Sequence, residues 1–313
     1  MIKVLVIRFS SIGNIVWTSP FIRCLKNKFK DNIEIHYLTK RQYKCLVEGN
    51  IYINKIHLLE DHKNLFQLIK YLKKENYNYI IDLHNKLRSI IVRLLLLKTT
   101  YKVKKNSLGR YLFVKFKTKV FLDQTHFVDK FIRTAKPLGI KNDGKGIDYF
   151  IPENTKLHDI KFDKYAVYIM SASTFNKKLN LNKAIELCSK IKYNIVLIGG
   201  LSEVALSEQL QLQFPNKIQN MVNILSINES AAIIKNASEV FGHDTGLTQI
   251  ASAFHNTIYS IWGRTSPNGV YPYCKTPILI ENLLLKCRPC SKSGLHYCPK
   301  GHFKCINDLK INI

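Results

Sequence analysis

Short aliphatic and β-branched runs alternate along the chain with segments whose apolar positions recur every three or four residues. In the first half the runs are IKVLVIRF (2–9), IEIHYLT (33–39), NKIHLL (54–59) and NYIIDLH (78–84), and the helical period recurs over 15–29, 62–75 and 86–97. In the second half they are YAVYIMSA (165–172), YNIVLIGG (193–200), EVFGHD (239–244) and TIYSIWG (257–263), with helical segments near 180–191, 202–213, 227–236 and 245–254. Runs that are apolar throughout, joined through helices, predict parallel strands covered on both faces. Two such series predict an α/β chain of two doubly wound, Rossmann-like domains. The polar stretch IPENTKLHDIKFDK (151–164) is the expected junction, which gives domains at 1–155 and 156–313, the second ending in a cysteine-rich tail at 283–313. Open α/β sheets bind ligands beyond the carboxyl ends of their strands, so the two domains are expected to face each other across a cleft lined by strand ends.

Charge changes this picture less than its size promises. The 313 residues carry 48 Lys and Arg against 22 Asp and Glu, a net +26, a field that draws nucleic acid, an anionic membrane face or acidic substrates. The lysines are scattered and not gathered in one tail, which points to compositional drift for most of the excess. The stretch KTTYKVKKNSLGRYLFVKFKTK (98–119) is different, because it interleaves lysines with aromatics. It reads either as a solvated amphipathic helix pair or as a surface for anionic lipid or phosphate groups. The longest apolar run, SIIVRLLLL, is short and holds Arg93, so no membrane-spanning helix is expected. The first apolar run is a brief strand followed by Arg8, unlike a secretion signal, and the expectation is a cytoplasmic protein with reduced thiols.

Chemistry gathers at strand ends. Ser10-Ser11-Ile12-Gly13-Asn14 follows the first strand: Gly13 allows close backbone approach and the next helix opens with free amides for an anion, although a plain turn with a serine cap has the same pattern. SASTFNKKL (171–179) sets Ser171, Ser173 and Thr174 before Lys177 and Lys178. These hydroxyls and point charges suit a diphosphate; the alternative is a capped helix start with solvated lysines. FGHDTGLTQIA (241–251) is the sharpest motif. Asp244 ends a strand, can cap the helix starting at Thr245 and can hold sugar hydroxyls, while the Thr245 and Gly246 amides can meet a phosphate. Asp-Thr-Gly also marks aspartic proteases, but those need two such loops in β-rich lobes, and one occurs here in an α/β setting. WGRTSPNGVYPYC (262–274) places Thr265 and Ser266 before a proline, a fixed loop at a further strand end. No G-x-G-x-x-G follows the first strand, so a nicotinamide dehydrogenase is not indicated.

Four cysteines, Cys24, Cys45, Cys188 and Cys274, stand alone, and the others form Cys287-x2-Cys290-x7-Cys298-x6-Cys305 with His302 nearby. The first pair has metal-ligand spacing, while the second half lacks the CxxC partner of a zinc ribbon. A structural zinc held by four thiolates and a set of reduced or redox-labile cysteines are the alternatives.

Taken together and in order, these loops resemble glycosyltransferase family 9, the ADP-heptose:lipopolysaccharide heptosyltransferases, in a cysteine-bearing branch. VIRFSSIGNIVWTSPFIRCLK is similar to the family's opening, IDLHNKLRS to its fourth-strand motif and HFVDKFIRTAKPLGI to its segment before the interdomain crossing. IVLIGG and HDTGLTQIASAF resemble its donor site, IWGRTSP the loop after it, and CRPCSKSGLHYCPKGHFKC a cysteine-bearing tail. The resemblance covers nearly the whole chain. It implies a GT-B fold with the nucleotide-sugar donor on the C-terminal domain and the acceptor on the N-terminal one. It also implies an inverting transfer of heptose from ADP-heptose to the lipid A–Kdo or core oligosaccharide acceptor. The resemblance further implies that no cofactor is required, and the expected partners are the donor and the acceptor, not nucleic acid; the expected location is the cytoplasm, with peripheral contact at the inner face of the membrane as an extension of it. By motif position, Lys177 serves the diphosphate with Ser173 and the Thr245–Gly246 turn, Asp244 holds the heptose, and Leu225 lies near adenine. Ser11 and Gly13 form the phosphate and acceptor loop.

This chain departs from the family's pattern where proton transfer is concerned. The family's Ser-x-Gly-Asp places the general base at the position of Asn14. An amide can orient a hydroxyl but cannot accept its proton near neutral pH, and a general base is worth about 10²–10⁴ in rate. Gln249 stands where the family usually has histidine, Asn223 where glycine is common, and Ala172 and Ser173 differ as well. Three outcomes follow: a slow enzyme, an enzyme whose base is Asp82, His84 or Asp129, or a non-catalytic relative that still binds nucleotide-sugar. A basic nucleic-acid-binding protein, the rival that charge alone raises, requires basic residues gathered on one face.

Overall fold

In the computed structural model, which describes residues 1–172, 177–292 and 297–313, the aliphatic runs form two separate all-parallel sheets. The first belongs to a unit made of Met1–Lys105 and Thr125–Glu153, the second to a unit made of Asn106–Gln124 and Asn154–Ile313. Residues 106–124 therefore pack with the second unit although they lie in the first half of the sequence.

The first sheet contains β1 (Ile2–Ile7), β2 (Ile33–Thr39), β3 (Lys55–Leu58), β4 (Tyr79–Asp82) and β5 (Thr99–Lys102) in the order β3-β2-β1-β4-β5. Four helices lie between its strands: α1 (Ile12–Val16), α2 (Ser19–Phe29), α3 (Leu65–Lys74) and α4 (Leu87–Leu96). The single helix expected at 15–29 is two, because Pro20 occupies the first turn of α2, where its missing N–H costs nothing. After α5 (Ser107–Phe116) visits the other unit, α6 (Phe127–Thr134) returns to this one. Buried Arg23 then ties the closing segment to α2. Its guanidinium pairs with Asp143 at 2.8 Å and with Asp148, and donates to the Gly146 carbonyl at 2.8 Å.

The second sheet contains β6 (Tyr165–Ile169), β7 (Asn194–Ile198), β8 (Ile218–Asn220), β9 (Glu239–His243), β10 (Thr257–Trp262) and β11 (Thr276–Glu281) in the order β11-β10-β9-β6-β7-β8. Its helices are α5, α7 (Leu181–Lys190), α8 (Val204–Gln213), α9 (Ile227–Lys235), α10 (Gly246–Ala251) and α11 (Lys304–Asn307). Alternate strand residues feed opposite faces. Ala166, Tyr168, Leu197 and Phe241 join one core with Leu187 of α7, and Val167, Ile169, Val196 and Val240 join another with Ile234 of α9. That double burial is why these strands read as unbroken apolar runs.

Both sheets are doubly wound, and strand order reverses between β1 and β4 in the first and between β6 and β9 in the second. At such a switch point the adjoining loops diverge and leave room for a ligand. Register sets Ile7 beside Asp82 and Ile169 beside Gly242, which brings the sequence motifs of each unit to its own switch point. Among the described residues no helix is long and apolar enough to cross a membrane.

Gly242 lets α10 close over the end of β9. A Cβ there would sit 2.4 Å from Thr248 Oγ1 and 3.2 Å from the Ile169 side chain, and Thr248 Oγ1 is already committed to the His243 carbonyl at 2.7 Å. Gly242→Ala is expected to destabilise the chain by about 1–3 kcal/mol through overpacking. Urea unfolding should show a lower midpoint at unchanged slope; an unchanged midpoint would refute the packing argument.

Candidate active site

At the second unit's switch point, β6 runs on into Met170-Ser171-Ala172 and β9 into Asp244. His243, the last residue of β9, is 1% exposed and touches both neighbouring segments. Its Nδ1 donates to the Met170 carbonyl at 3.0 Å, and its Nε2 accepts from the Leu179 amide at 3.0 Å. A carbonyl can only accept and an amide N–H can only donate, so these partners fix the tautomer with the proton on Nδ1. Burial keeps the ring neutral and lowers its pKa to about 4. One imidazole thus joins the end of β6 and the segment at 177–179 to β9.

That segment delivers Lys177. Its Nζ lies 2.5 Å from Asp244 Oδ2, and Thr265 Oγ1 donates to the same oxygen at 3.2 Å. Lys178 turns the other way, to buried Glu203 and to Ser202 Oγ at 2.8 Å. The expectation that both lysines serve a diphosphate is therefore corrected: Lys177 faces the site and Lys178 fastens the loop. Asp244 does not cap the following helix either. Thr245 occupies the N-cap position of α10, and the Asp244 carboxylate is held by Lys177 and Thr265. Gly246 opens α10, and Gln249, 3% exposed, donates to the Val270 carbonyl at 3.2 Å. Leu225 packs at the edge of the core built on Val167 and Ile169. Ser173 and Thr174 lie outside the described residues.

The loop carrying Thr265 has an anchor that its sequence does not announce. Arg288 Nη2 donates to the Thr265 carbonyl at 3.1 Å and to Glu281 Oε2 at 2.8 Å, and Nη1 to the Asn282 carbonyl at 2.8 Å. From α5, half-buried Arg110 joins Ser266, Asn268 and Lys292 around a small pocket. Burial lowers the pKa of Arg110, and the charge of Asp244 acts against that.

In the cysteine tail the described thiols take different partners. Cys287 Sγ faces His302 Nε2 at 3.8 Å, Cys290 Sγ points back to the Arg264 carbonyl at 3.9 Å, and Cys305 is buried in the core beside Leu309. Among the described residues, the one group of three or more His, Cys, Asp or Glu whose ligand atoms all lie within 4.8 Å of one another is His36, His57 and Glu75. There His36 Nδ1 and His57 Nε2 are 3.0 Å apart and Tyr77 bridges them, while Glu75 is paired with Lys3 at 3.2 Å and Lys55 at 2.6 Å. The carboxylate is already neutralised, so this cluster is a hydrogen-bonded network of the first unit's core.

The first unit's switch point holds Ser11, Gly13 and Asn14 after β1. Ser11 is the N-cap residue of α1, Gly13 is buried, and Asn14 Nδ2 donates to Ser11 Oγ at 2.9 Å. Asp82, which ends β4, is fully buried; its Oδ1 accepts from the His84 and Asn85 amides at 3.0 and 2.7 Å, and Oδ2 pairs with Arg93 at 3.4 Å. Burial and the charges of Arg8 and Lys105 lower the pKa of His84 to about 3. Asp129, on α6, accepts from Asn142 at 2.9 Å. Of the three alternative bases, His84 is thus made weakly basic, and Asp82 is buried against Arg93.

Glycosyltransferase family 9 (heptosyltransferase) matches residues 65–298, a span that includes Lys177, Asp244 and Thr265. The chain belongs to this family. It is a family 9 glycosyltransferase, an enzyme of sugar transfer, 25% identical over 290 residues to lipopolysaccharide heptosyltransferase 1 of Campylobacter coli, with 84% of each chain covered. Among solved structures, the family 9 glycosyltransferase of Veillonella parvula matches with a TM-score of 0.73 at 16% identity, covering 90% of this chain and 86% of that one. The ADP-heptose lipopolysaccharide heptosyltransferase II of E. coli matches with a TM-score of 0.69 at 16% identity and 98% coverage of both. The GT-B architecture expected of the family 9 resemblance is the architecture of these structures.

His243 gives the family 9 glycosyltransferase an acid-sensitive brace. Its pKa is about 4 when folded and near 6.5 when exposed. Below pH 6.5 the unfolded chain takes up a proton that the folded chain refuses, so stability falls as pH drops towards 4 and levels off beneath that. Between pH 7 and pH 5 the loss from this residue is on the order of 2 kcal/mol. Urea midpoints at the two pH values should fall further for the wild type than for His243→Gln; equal losses would contradict the assignment.

Proposed function

We propose that this protein transfers heptose from ADP-heptose to an inner-core acceptor of lipopolysaccharide with inversion, at a rate lowered by Asn14. The observation that carries the donor side is the placement of Lys177 and Thr265 on one carboxylate oxygen of Asp244 at the second switch point. In the step proposed, the acceptor hydroxyl oxygen attacks the anomeric carbon from the face opposite the diphosphate. The bond from that carbon to the β-phosphate oxygen breaks, and its electron pair departs on ADP. Lys177, a compact ammonium, neutralises the charge that develops there. A diphosphate competes with Asp244 for this ammonium, and the carboxylate oxygen released by the exchange accepts hydrogen bonds from the sugar. The Thr245–Gly246 turn lies beside the same carboxylate.

The acceptor hydroxyl must also lose a proton. The Asn14 amide nitrogen donates to Ser11 Oγ, which leaves its carbonyl oxygen to orient the hydroxyl but not to take the proton. With Asp82 buried against Arg93 and His84 weakly basic, the proton passes to solvent, and the reaction is slow. A lipid-linked acceptor places the enzyme in the cytoplasm at the inner membrane face. The amide at position 14 favours a second reading, a relative that binds nucleotide-sugar without transferring it.

Two substitutions test the scheme. Asn14→Asp restores a base and is expected to raise kcat about 10²-fold or more, measured as ADP release from ADP-heptose with a truncated core acceptor. No transfer by either form would establish the non-catalytic relative. Lys177→Ala is expected to lower kcat about 10²–10³-fold, the scale of removing one charge-stabilising donor, and to weaken ADP binding in calorimetry. Unchanged ADP affinity would exclude Lys177 from the diphosphate.

A further inference from the structure

The second unit carries an exposed apolar surface on α5 and the return that follows it. α5 buries Gly109 and Phe113 and leaves Leu108 70%, Tyr111 47% and Phe116 60% exposed, and the return after it leaves Val120 80% and Phe121 64% exposed. These side chains form one patch. Lys115 Nζ lies 5.8 Å from the Tyr111 ring centre and 5.2 Å from that of Phe116. The return passes so near α5 that a Cβ on Gly109, beside Leu108, would sit 1.9 Å from the Phe121 carbonyl oxygen. Lys292 reaches in from the tail, 5.4 Å from the Tyr111 ring, and donates to the Ser107 carbonyl at 3.1 Å. Lys117 fastens the segment by donating to the Pro289 carbonyl at 2.6 Å. From Leu83 to Leu122 the sequence contains no Asp or Glu, with exposed Asp123 next along the chain, so lysines outnumber acids beside the apolar side chains. A contiguous exposed apolar patch with a polar rim marks an interaction site.

We propose that this patch docks on an anionic phospholipid bilayer. Its apolar side chains enter the boundary between headgroups and acyl chains, while Lys115, Lys119 and Lys292 meet lipid phosphates. The inference rests on a lipid-linked acceptor as its reason and adds the surface by which that acceptor is approached. Two other occupants match the patch less well. A second copy related by a two-fold axis sets lysines against lysines, and a nucleic acid can stack on the rings but gains nothing from Leu108 and Val120.

Co-sedimentation of the full chain with phosphatidylcholine vesicles, with and without phosphatidylglycerol, tests the proposal. Binding is expected to the phosphatidylglycerol vesicles, to be about tenfold weaker without that lipid, and to fall as salt rises. Phe116→Ser with Phe121→Ser is expected to lower partitioning about tenfold, and Lys115→Glu with Lys119→Glu to remove the preference for phosphatidylglycerol. All four positions are exposed, so melting temperature and the thermal shift produced by ADP stay unchanged. Wild-type protein that ignores phosphatidylglycerol vesicles overturns the proposal. So does a double-serine variant that binds as the wild type does, or wild-type self-association that the double-serine change abolishes. If vesicle binding follows expectation while ADP gives no thermal shift, the donor assignment fails and the docking surface stands.

Discussion

A neutral imidazole holds the second switch point of this protein together. His243 bonds to the end of β6 and to the loop that presents Lys177, while its own strand presents Asp244. Neither bond survives if the ring loses its tautomer, because a carbonyl and an amide N–H make opposite demands. Glu203 reinforces the arrangement by holding Lys178, the residue next to Lys177. Thr265 completes the carboxylate's surroundings, and Arg288 fixes Thr265 from the cysteine-rich tail. The tail's contribution to the site is thus an arginine between its first two cysteines.

The two switch points differ in how much chemistry they retain. The second keeps a cation, a carboxylate and a hydroxyl in contact, which suits a reaction governed by where negative charge appears. The first places an amide, Asn14, in the loop after β1. Charge placement and proton transfer contribute separately to a glycosyl transfer, so under the proposed reading the loss of a base slows the reaction and leaves the charge-stabilising groups in place.

Much of the fold was legible because its strands are covered on both faces and stand out as apolar runs. β5, TTYK, was not, since it is only partly buried and alternates polar residues; β8 is three residues long and offers no pattern. The candidate site was legible as far as strand ends and family resemblance reach, and the structure brings Lys177 and Asp244 together as those motifs suggested. Which of two adjacent lysines turns to Asp244 and which to Glu203 depends on residues far away in sequence, and no spacing encodes it. His243 stood inside the motif that was recognised, yet a lone histidine before an aspartate gives no sign of its two backbone partners. The cysteine spacing was plain, while the direction of each thiol is set by packing, and Cys305 is turned into the core.

The account depends on a sugar-linked diphosphate binding at the second switch point and taking Lys177 from Asp244. A crystal structure of the chain with ADP tests this most directly. The β-phosphate should lie within hydrogen-bond distance of Lys177 Nζ, with the Lys177–Asp244 contact opened from its 2.5 Å in the free chain. ADP bound elsewhere, or bound with that contact intact, would contradict it.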